Sequence, residues 1–598
     1  MTRHTPTTWL TRLLLLCITV HSVVLALTNP LGEAPDEPAH MEYVRFVVDA
    51  QRLPVQCAAP CRSDVDGEGH QPPLAYFVYA IATAPFVERT PTERTAVEQT
   101  LWVGPATNPA FLWSGGADPQ ALIHGSREYW PWQGNILAWR LMRVVSVLLV
   151  VVALWVTTRI AAQVSSAPTA VVTLLLAALT PQTAILASTV SNDPLLLLLA
   201  AALVYQSLTV RSRRDMLAVG TLFGLAMVTK QSAIVLAPVV VYAASRVAGW
   251  RARSAALLLG GVVSFAVAAW WYVRNARLYG DVFGLGLFTQ TYAGQPLDWA
   301  DLGTWQTAYS QLVRSAWGLY GWMSIPLPSA WYGVGSMILL LGGWGLVLRL
   351  RSGLPGQWWR WAGFVGAGGI LWLAAFAHTV GAVAWQTRLL APVLPLLIIG
   401  LAAGYTRGLG WYPRARTVAA LGVGALLLQL GFWWGLVLPR FHVDLPDPAT
   451  TATPLSSTRD AVFAAPGSAG GIALLDLDAP ASIAPGDTVD LAFRWQVYDR
   501  PSYDWQLYLV VRDVYKREYH SVTQTLHPVP TSRWTPGDRL VTRHSITIPA
   551  DLAEGFYMIQ IGLVDTRSPL RAEKRNHALA LTGEAVFLPF TVGTPTLP

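Results

Sequence analysis

The chain has 598 residues, of which 53% are apolar and only 13% charged, with 27 tryptophans. That composition excludes an ordinary soluble globular protein and describes a chain threaded several times through a membrane. The net charge of +7 is no nucleic-acid signal, because the basic residues sit in short loops between apolar runs and no basic tract with interleaved aromatics occurs.

Apolar runs fall at residues 9–27, 141–161, 168–188, 193–210, 216–229, 232–245, 254–273, 331–348, 361–379, 389–405 and 417–438, which predicts eleven spans. Arg3 and Arg12 precede or open the first run, and Arg159 ends the second. Arg211, Arg213 and Arg214 follow the fourth, and Arg246, Arg251 and Arg253 the sixth. Arg349, Arg351 and Arg360 follow the eighth, and Arg407, Arg414 and Arg416 the tenth. Every second loop is therefore arginine-rich, which predicts a multi-pass protein of the cell membrane with a cytoplasmic N-terminus. A cleaved signal peptide is the other reading of the first run, but Leu27-Thr28-Asn29-Pro30 makes a poor cleavage site.

On this topology two exoplasmic loops are long, 28–140 and 274–330. The first opens with Glu33-Ala34-Pro35-Asp36-Glu37-Pro38-Ala39-His40, followed by apolar residues at helical spacing to about residue 50. Asp36 and Glu37 suit a helix cap and the helix dipole. They equally suit a general base at a membrane surface, and the two roles are compatible. Further along, Cys57 and Cys61 flank Ala58-Ala59-Pro60 and could close a small disulfide loop in an oxidising compartment. Glu68 and His70 form a weak metal or substrate signal. The apolar stretch from Leu74 to Phe86 is short and proline-bounded, as in an interfacial or re-entrant helix. The second loop is rich in aromatics, Trp317 and Trp322 among them, which suit the headgroup level.

Lys230 is the first lysine of the chain, the next being Lys516. It lies on the exoplasmic side with Arg274, Arg277 and Arg388, against the general charge bias, and an anion held there would explain all four. Snorkelling to headgroups is the bland alternative for each. Asn192-Asp193-Pro194 reads as a helix cap. No phosphate-cradling glycine loop, Gly-x-Ser-x-Gly elbow or His-Glu-x-x-His motif is present, so nothing favours ATP-driven transport or the common hydrolases.

Beyond residue 438 the composition changes. Residues 441–470 read as a linker between a multi-span domain, 1–440, and a β-sandwich, 471–598, placed on the exoplasmic side. In the latter, Leu491, Phe493, Trp495 and Val497 alternate with polar residues, and Pro-Gly-Asp turns recur at 485–487 and 536–538.

The order of these pieces resembles the GT-C superfamily of integral-membrane glycosyltransferases, which includes protein O-mannosyltransferases and the lipid A aminoarabinose transferase. The resemblance rests on Pro35-Asp36-Glu37-Pro38-Ala39-His40, His70-Gln71-Pro72-Pro73-Leu74-Ala75-Tyr76, Ser191-Asn192-Asp193-Pro194, Thr229-Lys230, Arg274-Asn275, Trp317-Gly318-Leu319-Tyr320-Gly321-Trp322 and Gln386-Thr387-Arg388. It implies transfer of a sugar from a polyprenyl-phosphate or pyrophosphate carrier on the outer face. By position it makes Asp36, with Glu37 beside it, the catalytic candidate, and Lys230, Arg274 and Arg388 the phosphate candidates. His70, Gln71, Tyr76, Trp317 and Trp322 become candidate substrate contacts. The implied chemistry needs no nucleotide and no obligatory metal, although a divalent cation is compatible with it, and the acceptor does not transfer. A polyprenyl-linked glycan flippase would instead place charges at mid-membrane, and a glycan ligase would carry its key residues in a late loop.

Overall fold

The computed structural model describes residues 6–57, 63–65, 67–87, 106–107, 119, 121–124, 128, 130–352, 356–441, 461–463, 471–480, 482–501, 504–513, 517–565 and 586–593. It is a polytopic α-helical bundle followed by a β-domain.

Helix α1 (Pro6–Thr28) leads to a tight turn and then to α2 (Glu37–Ala50) and α3 (Leu74–Thr83). A two-residue ladder of β1 (Ala106–Thr107) and β2 (Leu122–Ile123) follows. Next come α4 (Gly134–Val164), α5 (Ala167–Leu179), α6 (Pro181–Ala187), α7 (Asp193–Thr209), α8 (Met216–Met227), α9 (Ala237–Ser245) and α10 (Trp250–Tyr279). The second long loop folds as α11 (Gly286–Tyr292), α12 (Leu302–Ala316) and a small hairpin of β3 (Leu319–Tyr320) and β4 (Ile325–Pro326). The bundle closes with α13 (Ser329–Arg351), α14 (Gly356–Val380), α15 (Leu394–Ala403) and α16 (Ala415–Phe432).

Helix length and composition do not by themselves confirm the expected count of eleven spans. Among the described residues six helices are long and apolar enough to cross a membrane, or seven if the bent pair α5–α6 counts as one span. The 168–188 run breaks by 75° because Pro181 at the break offers no backbone N–H to continue the helix. The runs at 193–210, 232–245 and 389–405 form apolar helices of 17 residues or fewer, and that at 216–229 forms one of 12. At 1.5 Å per residue even α7 reaches about 25 Å, short of the ~30 Å of a hydrocarbon core. Helix α4 begins at Gly134, earlier than the apolar run suggested, and so takes Arg140 and Arg143 into its first turns.

The β-domain is a sandwich. One antiparallel sheet runs β10 (Arg539–Thr547), β7 (Thr488–Val497), β6 (Ile472–Asp478), β5 (Ala461–Phe463). The other runs β12 (Val586–Val592), β11 (Gly555–Asp565), β8 (Trp505–Asp513), β9 (Glu518–Thr525). Leu491, Phe493, Trp495 and Val497 are all buried and meet Leu507, Leu509, Ile559 and Ile561 of the second sheet in one core. Both Pro-Gly-Asp segments form turns with glycine in the left-handed region, at φ 86° and 94°. Asp487 and Asp538 each accept a bond from the backbone three residues earlier. The sandwich touches the bundle's first loop where Arg517 donates to Asp64 at 2.9 Å, with Arg52 on the same carboxylate.

Cys57 is disulfide-bonded and Cys17 is free. Cys61, the expected partner of Cys57, lies outside the described residues.

Candidate active site

The turn between α1 and α2 is held by a buried ion pair. Glu37 is fully enclosed, and both its oxygens are used by Arg143 of α4, Nε at 2.7 Å and Nη2 at 2.6 Å. The same carboxylate accepts from the backbone of Gly32 and of Val190, at 3.1 and 3.0 Å. Arg143 in turn donates to the carbonyls of Asn29 and Pro30. A carboxylate so saturated has no lone pair left for an acceptor, so Glu37 corrects the expectation of a catalytic pair. The sequence signal of this partner is the pair Arg140 and Arg143, at i and i+3 where an apolar run begins.

Asp36 is left on the other side of the turn with a strained backbone, φ 67°, a region that aspartate tolerates better than most residues. It stands at the N-cap position of α2, yet its side chain caps nothing. Instead its Oδ2 accepts from Arg388 Nη2 at 2.5 Å, and the carboxylate stays 40% exposed. Partial burial alone would raise the Asp36 carboxyl, but the Arg388 charge and hydrogen bond, with Lys230 nearby, hold it below the usual carboxylate range. It is therefore ionised at neutral pH and open to a substrate.

Lys230 sits where the chain leaves α8, and Leu74 N bonds the Val228 carbonyl just before it. Its Nζ donates to Asp193 Oδ1 at 2.5 Å. The other Asp193 oxygen has no hydrogen-bond partner and lies 4.0 Å from Arg388 Nη1. Asp193 and Asn192 do not cap α7 with their side chains as the sequence suggested; Asn192 Nδ2 donates to Gln71 Oε1 at 3.1 Å instead. Two carboxylates and two cations, drawn from four separated segments, thus share one cluster.

Around them lie the groups of the first loop. His40 Nδ1 is 2.8 Å from the Tyr76 hydroxyl and 3.9 Å from Glu68 Oε2. Burial pushes the Glu68 carboxyl up, aided by the charge of Asp36, to about 8. Burial also pushes His40 down to about 3 and His70 to about 4, so both imidazoles are neutral. Among the described residues no three His, Cys, Asp or Glu side chains converge as metal ligands.

The remaining sequence candidates fall in different places. His70 is buried, bonding the Gly67 carbonyl and lying against Phe288 of the second loop. Tyr76 is fully buried and stacked on Tyr43 at 3.8 Å, so it supports His40 from behind. Trp317 is packed against Gly335 and Trp331, a core position and not a surface for substrate. Trp322 donates its indole N–H to the Gly32 carbonyl at 2.8 Å, tying the second loop to the turn that carries Asp36. Arg274 bonds the Pro54 carbonyl at 2.7 Å and lies over Trp271. The larger electrostatic influences on Asp36 are those of Arg388, His40 and Lys230.

A second brace holds the same turn. Glu33 and Glu128 grip His124 at 3.2 and 2.8 Å. Burial opposes its charge, but the two carboxylates outweigh it and raise the imidazole to about 9.

With this geometry in view, residues 134–272 match the model of the dolichyl-phosphate-mannose-protein mannosyltransferase family. The matched segment holds Arg143, Asp193 and Lys230 but neither Asp36 nor Arg388, and over it the resemblance to GT-C glycosyltransferases is met. Two crystal structures of ArnT from Cupriavidus metallidurans are also similar to this chain. One, bound to undecaprenyl phosphate, shows 14% identity and a TM-score of 0.42, covering 73% of this chain and 74% of that chain. The other, in the apo state, shows 16% identity and a TM-score of 0.41 over the same shares. No curated protein matches the chain.

Proposed function

We propose that this protein is a membrane glycosyltransferase, moving a sugar from a polyprenyl-phosphate or pyrophosphate donor to an acceptor at the exoplasmic face. The observation that carries this reading is the ionised, partly exposed Asp36 held beside Arg388 and the Lys230–Asp193 pair. A base and two phosphate-binding cations within one cluster are what such a transfer requires. The match to the dolichyl-phosphate-mannose-protein mannosyltransferase family supports the donor class. The Arg517–Asp64 contact supports a β-domain on the same side of the membrane as the first loop.

In the reaction, Asp36 takes the proton of the acceptor hydroxyl or amine as that atom bonds the anomeric carbon. The bond from the anomeric carbon to the lipid phosphate oxygen breaks, its electron pair leaves with the phosphate, and the configuration inverts. Lys230 and Arg388 exchange their carboxylates for the phosphate oxygens, which lowers the cost of the departing charge. In this scheme Glu37 positions the turn through Arg143 and takes no proton. Arg274 is the outlying member of the phosphate set.

The test is release of lipid phosphate by purified protein offered a panel of polyprenyl-phosphate sugars. Asp36→Asn should lower kcat by about 10²–10⁴-fold while the protein still expresses and inserts in the membrane. Full activity in that variant would sink the base assignment. No turnover with any donor, together with specific lipid movement across vesicles, would sink the transferase.

A further inference from the structure

At the opposite end of the bundle lies a cavity of about 230 Å³ lined by Val164, Ser165, Leu346, Arg349, Leu350, Trp359, Ala403 and Arg407. Its distance from Asp36 follows from α4, which starts beside Glu37 and runs on from Arg143 to Val164, about 30 Å at 1.5 Å per residue. The walls meet because α13 and the helix ending at Gly408 pack backbone to backbone. Gly342 and Gly345 face Gly404 and Gly408 so closely that a Cβ on Gly345, Gly404 or Gly408 would strike the backbone of the partner helix. That crossing brings Arg349 and Arg407 to one mouth.

The charge there is uncompensated. No acidic residue occurs between Glu128 and Asp193, nor between Asp301 and Asp444, and every lining segment comes from these two stretches. Arg407 Nη2 donates to the Ser165 carbonyl at 3.0 Å, and Arg349 Nη1 to the Ser352 hydroxyl at 3.1 Å. These bonds fix the two guanidiniums, while neither has a carboxylate partner among the described residues. The lining thus combines two guanidiniums with the apolar side chains of Val164, Leu346, Leu350 and Trp359.

We propose that this cavity binds the phosphate group of an anionic phospholipid, independently of the proposed catalytic site. The guanidiniums take the phosphate oxygens, for which their planar fork is suited. The glycerol and first methylenes lie on the leucines and on Trp359, a residue type at home at the headgroup level. A free phosphate shares the anionic chemistry but would leave those apolar side chains unused.

The full chain in a neutral detergent would be titrated with phosphatidylglycerol, phosphatidylcholine or inorganic phosphate, reading Tm and, by native mass spectrometry, bound lipid. Phosphatidylglycerol should raise Tm saturably by about 2–4 °C and remain bound, and phosphatidylcholine should do neither. The shift should vanish in R349Q/R407Q, survive in R349K/R407K, and be unchanged in K230Q, which reports on the distant cluster. Should R349Q/R407Q fail to fold, R407Q alone carries the test, since Arg407 is exposed. Equal protection by phosphatidylcholine, or a shift retained in the glutamine variants, would overturn the proposal. Protection by inorganic phosphate alone would overturn the lipid as occupant.

Discussion

Glu37 and Arg143 allow a sharp separation of folding from chemistry. Glu37→Gln keeps shape and volume but removes the charge, leaving the Arg143 guanidinium buried against a neutral amide. Four hydrogen bonds converge on the native carboxylate, two from Arg143 and two from backbone N–H groups. The amide's NH₂ can accept none of those aimed at its side, so at least one charged bond and one backbone bond fail. At about 1.5–3 kcal/mol for a bond to a charged group and about 1 for the other, the loss is about 2.5–4 kcal/mol. The general cost of breaking a buried pair, about 3–5 kcal/mol, agrees. Arg143→Met should cost at least as much, because it also removes a charged donor from the carbonyls of Asn29 and Pro30, which keep only Arg140 Nη1 and the Glu33 backbone N–H. The assay is denaturant unfolding in detergent for both single variants and for E37Q/R143M. The double variant should be less destabilised than the sum of the singles by about 2 kcal/mol or more, the coupling expected of groups in contact. A cost below about 1 kcal/mol for E37Q would refute the argument. Normal stability joined to a lost kcat would return Glu37 to the catalytic pair.

Other predictions concern charge. Arg388→Gln should lower kcat/KM for the lipid donor about 100-fold, or about 2.7 kcal/mol, whereas Arg274→Gln should stay within about 3-fold. An equal loss in both would restore Arg274 to the phosphate site. Glu68 binds its proton more tightly folded, at about 8 against 4.5. Its contribution is therefore fully present below pH 4.5 and is lost as pH rises through about 8, and Glu68→Gln should flatten that decline in Tm. Parallel profiles for the two proteins would count against it. His124 is raised from 6.5 to about 9, so the brace with Glu33 and Glu128 stabilises fully below pH 6.5 and is lost as pH rises through about 9. His124→Gln should lower Tm at neutral pH and leave it nearly unchanged above pH ~9; a deficit that persists at high pH would show a packing role instead.

Much of the architecture was legible in the order of residues. Apolar runs, alternating arginine loops and period-two strands are local patterns, and hydrophobicity acts on them locally. Asp36 stood out for the same reason, as an acid just past an apolar run. The lengths of the helices were less legible, because a run's apolarity does not say whether a proline will break it, as at Pro181, or how many of its residues will be helical, as in the 12-residue α8. What only tertiary structure decided is the pairing of charges. Asp36 meets Arg388 across 352 positions and Glu37 meets Arg143 across 106. Two adjacent acids with the same local signature were thereby given opposite fates. A left-handed residue turns one carboxylate outward to a cation at an open mouth, and the helix that begins after it carries the other into an enclosed arginine. Burial and partner set what a carboxylate can do, and both are properties of the packed bundle.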